Sequence, residues 1–431
     1  IGVTGVQTCA LPIFAMSLEG ELGFYLLLPG QYPRKTTVLG ASSLAAVWYN
    51  TFHSLLPWYQ QILYDYSVLD MISRPLSEKT FLDRVSQVGL FRGKWYSSEA
   101  VAAMSQENVL KASAIPVYDL SAMTAKRVSS YWTRQPSPFL SILPGDLQAL
   151  FIEPQVRELE RLGVEIRYRA EVSRLAMHND AVGSVVLSDG AQLSADVYAL
   201  CTPFEVTRAW ITGAVYQADP ALGNMHFLEA QPMAALHLRL RRQLPDLPRE
   251  HVFLHGSHYA LSMIDVSRHW TGLDVQPQLS FISSNYGPLN SVSYEDAKDT
   301  LLEEIGKYLP ITPDDVESWD LNPNTNVPLF INTIGAWPNR PRPKSNIRNL
   351  YLAGDFVRNP IDLACMEGAV SAAIEAARQI LTSHGESNSL PQAAIPPVWP
   401  RGWLVLACIL LIPVAAVARF IAWIGERFAP H

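Results

Sequence analysis

Residues Asn349–Leu381 read NLYLAGDFVRNPIDLACMEGAVSAAIEAARQIL, and the order of residue types in this stretch sets the fold class. The apolar run Leu350-Tyr351-Leu352-Ala353 has the length of a buried strand and stops at Gly354-Asp355. A loop of about ten residues follows, and Glu367-Gly368-Ala369 opens an Ala-rich helix. Each piece has a chemical use. Gly354 lets a ligand approach the backbone, and the Asp355 carboxylate accepts hydrogen bonds from hydroxyls. The free N–H groups at a helix start attract an anion or an electron-rich ring. Small residues at Gly368, Ala369, Ala372 and Ala373 let the helix pack closely on a cofactor or sheet. A strand-turn-helix without a ligand explains most single GD or EGA pairs, but the full run in order is harder to explain that way.

Working upstream, Ile152 to Leu162 carries a helical pattern closed by Gly163, and Val164 to Tyr168 alternates as a strand. Val172 to Leu175 and Gly183 to Leu187 continue as strands. Asp189-Gly190 predicts a turn into Gln192-Leu193, and Asp196 to Leu200 a buried strand ending at Cys201-Thr202-Pro203. Strands are expected again at Ala234 to Leu240 and Gln278 to Ser283, with a helix over Tyr294 to Tyr308. Ser17 to Leu150 reads as mainly helical. There Trp48, Phe52, Leu55, Leu56 and Tyr59 form a stripe that is expected to be an ordinary core face, a channel lining being the alternative. Ser77 is a candidate N-cap for a helix ending near Gly89.

At Asn349–Leu381 the sequence resembles the carboxy-terminal cofactor motif of the flavin-containing amine oxidase and carotenoid desaturase superfamily, with LAGD…ACMEGAV nearest the phytoene and zeta-carotene desaturases. The likeness extends to Pro144 through Leu175 and to Ala199 through Pro203. It implies an α/β fold in which an FAD-binding, Rossmann-like domain (144–203 and 346–382) is interleaved with a mixed-sheet substrate domain (15–143 and 204–345). It also implies FAD contacts at Val172, Cys201, Thr202, Pro203, Gly354, Asp355, Met366, Glu367, Gly368 and Ala369. The implied reaction is dehydrogenation of an apolar isoprenoid or polyene by hydride transfer to flavin N5, with an electron acceptor the sequence does not name. Such chemistry needs no Ser/His/Asp set, and none stands out. Arg358 and Asp362 are polar candidates near the flavin edge, an ordinary loop pair being the alternative. His226, His237, His251 and His269 lack partner spacing and read as ordinary residues.

The superfamily resemblance keeps two further readings open. Amine oxidases place an aromatic residue just before the MEGA run, where this chain has Cys365, so a cationic amine loses its π-face partner. Prenyl-lipid carriers share the architecture without a flavin. No GxGxxG occurs anywhere in the sequence, although that loop cradles the dinucleotide pyrophosphate. Ile1 to Phe14, IGVTGVQTCALPIF, lacks the marks of a signal peptide and resembles a translated sequencing adapter. The expectation is a non-native leader and about fifty missing residues that carry the first βαβ unit.

The other end holds a charge-free apolar run, Trp403 to Ala418, then Arg419 and Phe420 to Gly425. That approaches the ~20 residues of a bilayer span, with Trp403 and Trp423 placed as interfacial aromatics. A transmembrane helix over 402–425 after a Ser/Pro-rich linker, 383–401, is expected, with membrane lipid as a partner and the catalytic domain in the cytoplasm. A buried or surface-lying helix is the alternative. Composition agrees. Of 431 residues 48% are hydrophobic and 17% charged, against a typical ~25% charged. The net charge of −7 and the absence of a basic run set a nucleic-acid partner aside. Cys9, Cys201, Cys365 and Cys408 show neither disulfide-framework nor zinc spacing.

Overall fold

The computed structural model describes residues 19–21, 23–41, 43–75, 79–116, 118–134, 140–270, 277–385 and 392–428. The leader, Cys9 and the Ser77 cap lie outside the described residues.

A seven-stranded sheet forms the middle of the molecule, in the order Val316–Pro323, Ala234–Leu240, Gln278–Ser283, Leu261–Asp265, Val252–Leu254, Gly23–Leu27, Lys35–Leu39. Neighbours are antiparallel except Val252–Leu254 beside Gly23–Leu27, which run parallel. Strand alternation gives the sheet two distinct apolar faces. Leu27, Val252, Leu254, Leu279 and Phe281 point to a core closed by Leu301 and Ile305 of the helix Tyr294–Gly306. Phe24, Leu26, His251, Phe253 and Ile282 point the other way and floor a cavity.

The first part of the chain is a correction. Helices do dominate from Leu44 to Trp132, but Gly23–Leu27 and Lys35–Leu39 before them are strands. The apolar run GFYLL and the β-branched TTV favour a half-buried sheet edge over a helix. The aromatic stripe divides: Trp48 is 70% and Phe52 53% exposed, Leu55 lines the cavity, and Leu56 and Tyr59 pack on a core as expected. The helix Leu44–His53 instead turns Val47, Asn50 and Thr51 toward the cavity.

A second core gathers Leu175, Tyr198, Leu200, Phe204, Leu350, Leu352, Phe356 and Ala372. At its centre Tyr198–Leu200 and Leu350–Leu352 pair in parallel. Beside them Val172–His178, Ala181–Leu187 and Gln192–Leu193 form an antiparallel sheet, and Asp189-Gly190 makes the expected turn, Gly190 at φ +88°. The helix Glu153–Arg161 forms as expected, but Val164–Tyr168 is not a strand. No described strand lies beside it to accept its backbone, and Tyr168 is 72% exposed.

The C-terminal helix spans Arg401–Phe428 and does not trail from a free linker. Trp399 Nε1 donates to Thr133 O at 3.0 Å, and Arg401 Nε to Ser73 O at 3.1 Å. Ala415, Ala418 and Ala422, each about one turn from the next, then pack on Leu63 and Tyr66 of the helix Trp58–Ser73. These small residues bring the two helices close, while Ile409, Leu410, Val417 and Phe420 face outward, exposed. Ala418→Leu inserts three carbons into that contact. It is expected to destabilise the fold by about 1–3 kcal/mol, read as a lowered thermal midpoint in detergent.

Candidate functional site

Because Tyr198–Leu200 and Leu350–Leu352 run parallel, their carboxyl ends open on the same edge. Ala353 N donates to Leu200 O at 2.9 Å, which places Cys201-Thr202-Pro203 beside Gly354-Asp355. Ligands settle at this edge of parallel sheets because the strand ends leave loops and helix starts there. Cys201 and Pro203 are exposed, Asp355 is half-buried, and Thr202 shares a hydrogen bond with Thr207 at 2.8 Å. The helix Met366–Ser383 starts with Cys365 as N-cap, its Sγ accepting from Gly368 N at 3.4 Å. Gly368 is required by packing, since a Cβ there would fall 2.3 Å from Leu363 O. Ala369 follows within the first turn of this helix. Val172 opens a strand of the antiparallel sheet, apart from the parallel pair. The structure thus brings nine of the ten expected cofactor residues to two adjoining places and leaves Val172 to one side.

Among the described residues, both carboxylate oxygens of the buried Glu205 and Ser371 Oγ near this edge have no protein hydrogen-bond partner, and the Glu367 carboxylate has no partner but the Cys365 thiol. Burial pushes the Glu205, Glu367 and Asp355 carboxyls up, with Asp355 itself adding to the rise at Glu205. Arg340 pulls Asp355 back down, and the neighbouring Cys365 thiol does the same at Glu367. Unfilled polar atoms at such density mark a place where a ligand supplies the missing donors. Sequence reading missed Glu205 and Ser371, and only the position of Ser371 inside the MEGAVSAA run signals it.

The loop between strand and helix is held by Arg340, which is 3% exposed. All five guanidinium N–H groups are used. Nε donates to Phe356 O at 2.9 Å, Nη2 to Asp355 O at 2.6 Å and Val357 O at 2.8 Å, and Nη1 to Asn332 Oδ1 at 3.2 Å and Asp362 Oδ1 at 2.7 Å. The second oxygen of Asp362 meets Arg127 Nε at 2.7 Å. Asp362 is fully buried at φ +62°, so it fastens the loop and does not face a substrate. Arg358 is likewise occupied, donating to Pro338 O at 2.6 Å.

Cys365, Met366 and Glu367 also line a cavity of about 1530 Å³. The sheet floors it, the helices Leu44–His53, Trp58–Ser73, Glu99–Ser113 and Ala122–Trp132 wall it, and Trp403, Leu404, Ala407, Leu411 and Val414 of the C-terminal helix close it. The lining is predominantly apolar. His251 lies in it, and burial beside Lys111 pulls its imidazole down to about 4, so it is neutral at neutral pH.

The family described as flavin containing amine oxidoreductase matches residues 64–381. The chain belongs to that family. Among curated proteins, 15-cis-phytoene desaturase of Solanum lycopersicum is 23% identical over 243 residues, 54% of this chain and 40% of that protein. The chain therefore matches about two fifths of the length of such relatives. Cyclohexylamine oxidase from Brevibacterium oxydans superposes with a TM-score of 0.59 at 13% identity, covering 86% of this chain and 82% of that one. An oxidoreductase from Methanosarcina mazei gives 0.59 at 12% identity, covering 84% and 82%. These likenesses establish the fold. The family cofactor is FAD, and the unfilled Glu205, Glu367 and Ser371 atoms fit a ligand rich in hydroxyl and N–H groups.

Two measurements follow from this geometry. Arg340→Met leaves three carbonyls, Asn332 Oδ1 and one oxygen of the buried Asp362 without their donor, with Arg127 still on the other oxygen, and costs about 3–5 kcal/mol in denaturant unfolding. The raised carboxyls bind protons more tightly in the folded than in the unfolded chain. Stability without added FAD therefore falls as pH climbs from the ordinary carboxylate range near ~4 through the raised values. A thermal midpoint that drops as pH climbs above the ordinary carboxylate range, and drops less in Glu205→Gln, is the expected result.

Proposed function

We propose that this flavin-dependent oxidoreductase dehydrogenates a long apolar substrate of isoprenoid or polyene type at a lipid surface. The observation that carries the reading is the continuity of one apolar cavity from Cys365 and Met366 to the C-terminal helix. Its volume of about 1530 Å³ exceeds the ~300–1,000 Å³ of ordinary small-ligand pockets. When bound, FAD supplies the hydride acceptor. The chain's own residues hold and orient. Gly354, Asp355, Glu205, Glu367 and Ser371, with Cys201-Thr202-Pro203, Met366, Gly368 and Ala369, are the residues we assign to holding the cofactor, and Val172 to its adenine side. The apolar lining excludes water from the reacting carbon and keeps an extended chain in register.

The C-terminal helix has 28 residues and a mean hydropathy of 2.7 over its most apolar window. That makes it long and apolar enough to cross a membrane. Its inner face is packed on Trp58–Ser73, so we read it as set into the bilayer with its outer face in lipid and its inner face roofing the cavity. The phytoene desaturase relatives support a polyene substrate. Amine oxidation is the second reading that the solved neighbours favour, against which stands Cys365 in the place of an aromatic cage wall. A flavin-free carrier would leave Glu205 and Glu367 buried without a use.

The test is anaerobic mixing of the protein, in lipid nanodiscs with FAD supplied, with a polyene precursor and separately with cyclohexylamine and putrescine. Bleaching of the visible flavin band by the polyene alone is expected. Bleaching by the amines, or a protein that takes up no flavin, overturns the reading. Ala407→Trp fills the cavity beside the helix, and is expected to slow bleaching about tenfold or more by misplacing the substrate while the flavin stays bound.

A further inference from the structure

The cavity is predominantly apolar, and among its polar residues one carboxyl stands out. On the inner face of the helix Trp58–Ser73, Gln61 and Asp65 stand one turn apart and both line it. Gln61 Nε2 donates to Asp65 Oδ1 at 2.9 Å. Asp65 Oδ2 has no hydrogen-bond or ion-pair partner among the described residues, and no cation stands against this carboxyl. Burial pushes it up to about 7, with Gln61 pulling the other way. Its free oxygen opens on the cavity and can accept a hydrogen bond from a group bound there.

Of the other ionisable groups on the same walls, Glu367 stands at the start of the helix Met366–Ser383, His251 is held neutral beside Lys111, and Asp70 and Lys111 are occupied. Asp70 takes the Tyr96 hydroxyl at 2.8 Å, Lys94 at 3.6 Å and Arg74 at 3.5 Å. Lys111 is held by Glu107 and donates to Leu254 O at 2.6 Å. The nearby Tyr64 hydroxyl accepts from Asn108 Nδ2 at 3.4 Å. Asp65 lies on a different wall element from Cys365 and Met366. Ile72 O, which accepts from Lys126 Nζ at 2.7 Å, ties this helix to the one whose Tyr131 hydroxyl donates to Ile361 O at 3.3 Å. Asp65 lies seven residues before Ile72, about 10 Å along the helix axis at ~1.5 Å per residue.

We propose that Asp65, steadied by Gln61, docks a hydrogen-bond-donating head group, a hydroxyl or an ammonium, at the end of the substrate remote from the reacting carbon. The substrate is then an amphipathic lipid with one donor head on a long apolar body, and not a plain hydrocarbon. This rests on the reading of the cavity as the substrate site. A hydroxyl donates to Asp65 in either protonation state, whereas an ammonium holds it ionised.

The test uses the full chain in lipid nanodiscs with three probes of equal length: geranylgeraniol, geranylgeranylamine and the matching hydrocarbon. Binding is followed by quenching of tryptophan fluorescence, since Trp132, Trp399 and Trp403 line the cavity. The alcohol or the amine is expected to bind about tenfold or more tighter than the hydrocarbon, the worth of one buried hydrogen bond. Asp65→Leu is expected to erase that advantage, while Asp65→Asn, which keeps an acceptor, retains it for the alcohol alone. Equal binding of all three probes, or an advantage that survives in Asp65→Leu, overturns the proposal. Should the Leu variant fail to fold, the infrared difference spectrum decides. The donor probe must shift a carboxyl band that the hydrocarbon leaves in place and that Asp65→Asn lacks, and a spectrum without that shift overturns the proposal. No flavin turnover enters these readouts, so their failure is separable from a failure to oxidise a polyene.

Discussion

Arg340 holds together parts of the chain that have no sequence proximity. Its guanidinium gathers the carbonyls of Asp355, Phe356 and Val357, the amide oxygen of Asn332 and the carboxylate of Asp362, and through Asp362 it reaches Arg127 on the helical wall of the cavity. A buried ion pair gains little over a well-packed apolar substitute, because desolvation offsets the attraction. What this one gains is geometry. A planar fork with five donors fixes the path of a loop that has no regular backbone pairing of its own. The same loop delivers Asp355 to the strand edge and Cys365 to the helix start, so both halves of the candidate site inherit their positions from one side chain.

The site that results has two distinct sides. At the strand edge, Glu205 with unfilled oxygens and Asp355 lie under burial that favours their protonated forms. Across the helix start, the cavity wall turns apolar, with Cys365, Met366 and Leu363 facing in. A group of buried acids thus adjoins an apolar cavity. That juxtaposition suits hydride removal from carbon, in which the protein orients two partners and supplies little acid-base chemistry of its own.

Much of this was readable from residue order. Asn349–Leu381 predicted the strand, the loop and the helix because each carries a local signal: an apolar run, a Gly-Asp break and a cap before small residues. The hairpin at Asp189-Gly190 was readable for the same reason. What escaped depends on distant partners. Arg340 sits in a Pro-rich stretch with no periodicity, and only the fold shows that Asn332 and Asp362 surround it. Val164–Tyr168 alternates like a strand but has no neighbouring strand to complete its hydrogen bonds, so pattern without partnership yields an exposed turn. Trp48 and Phe52 follow a helical period on the outward side, and periodicity alone does not say which side a stripe faces.

The closing helix Arg401–Phe428 roofs the cavity. Trimming the tail to obtain a water-soluble enzyme would therefore unroof the tunnel, leaving Leu63 and Tyr66 and the inner lining open to solvent. The product of such trimming would be a sticky, self-associating protein with an altered substrate range, and not a simplified version of the same catalyst.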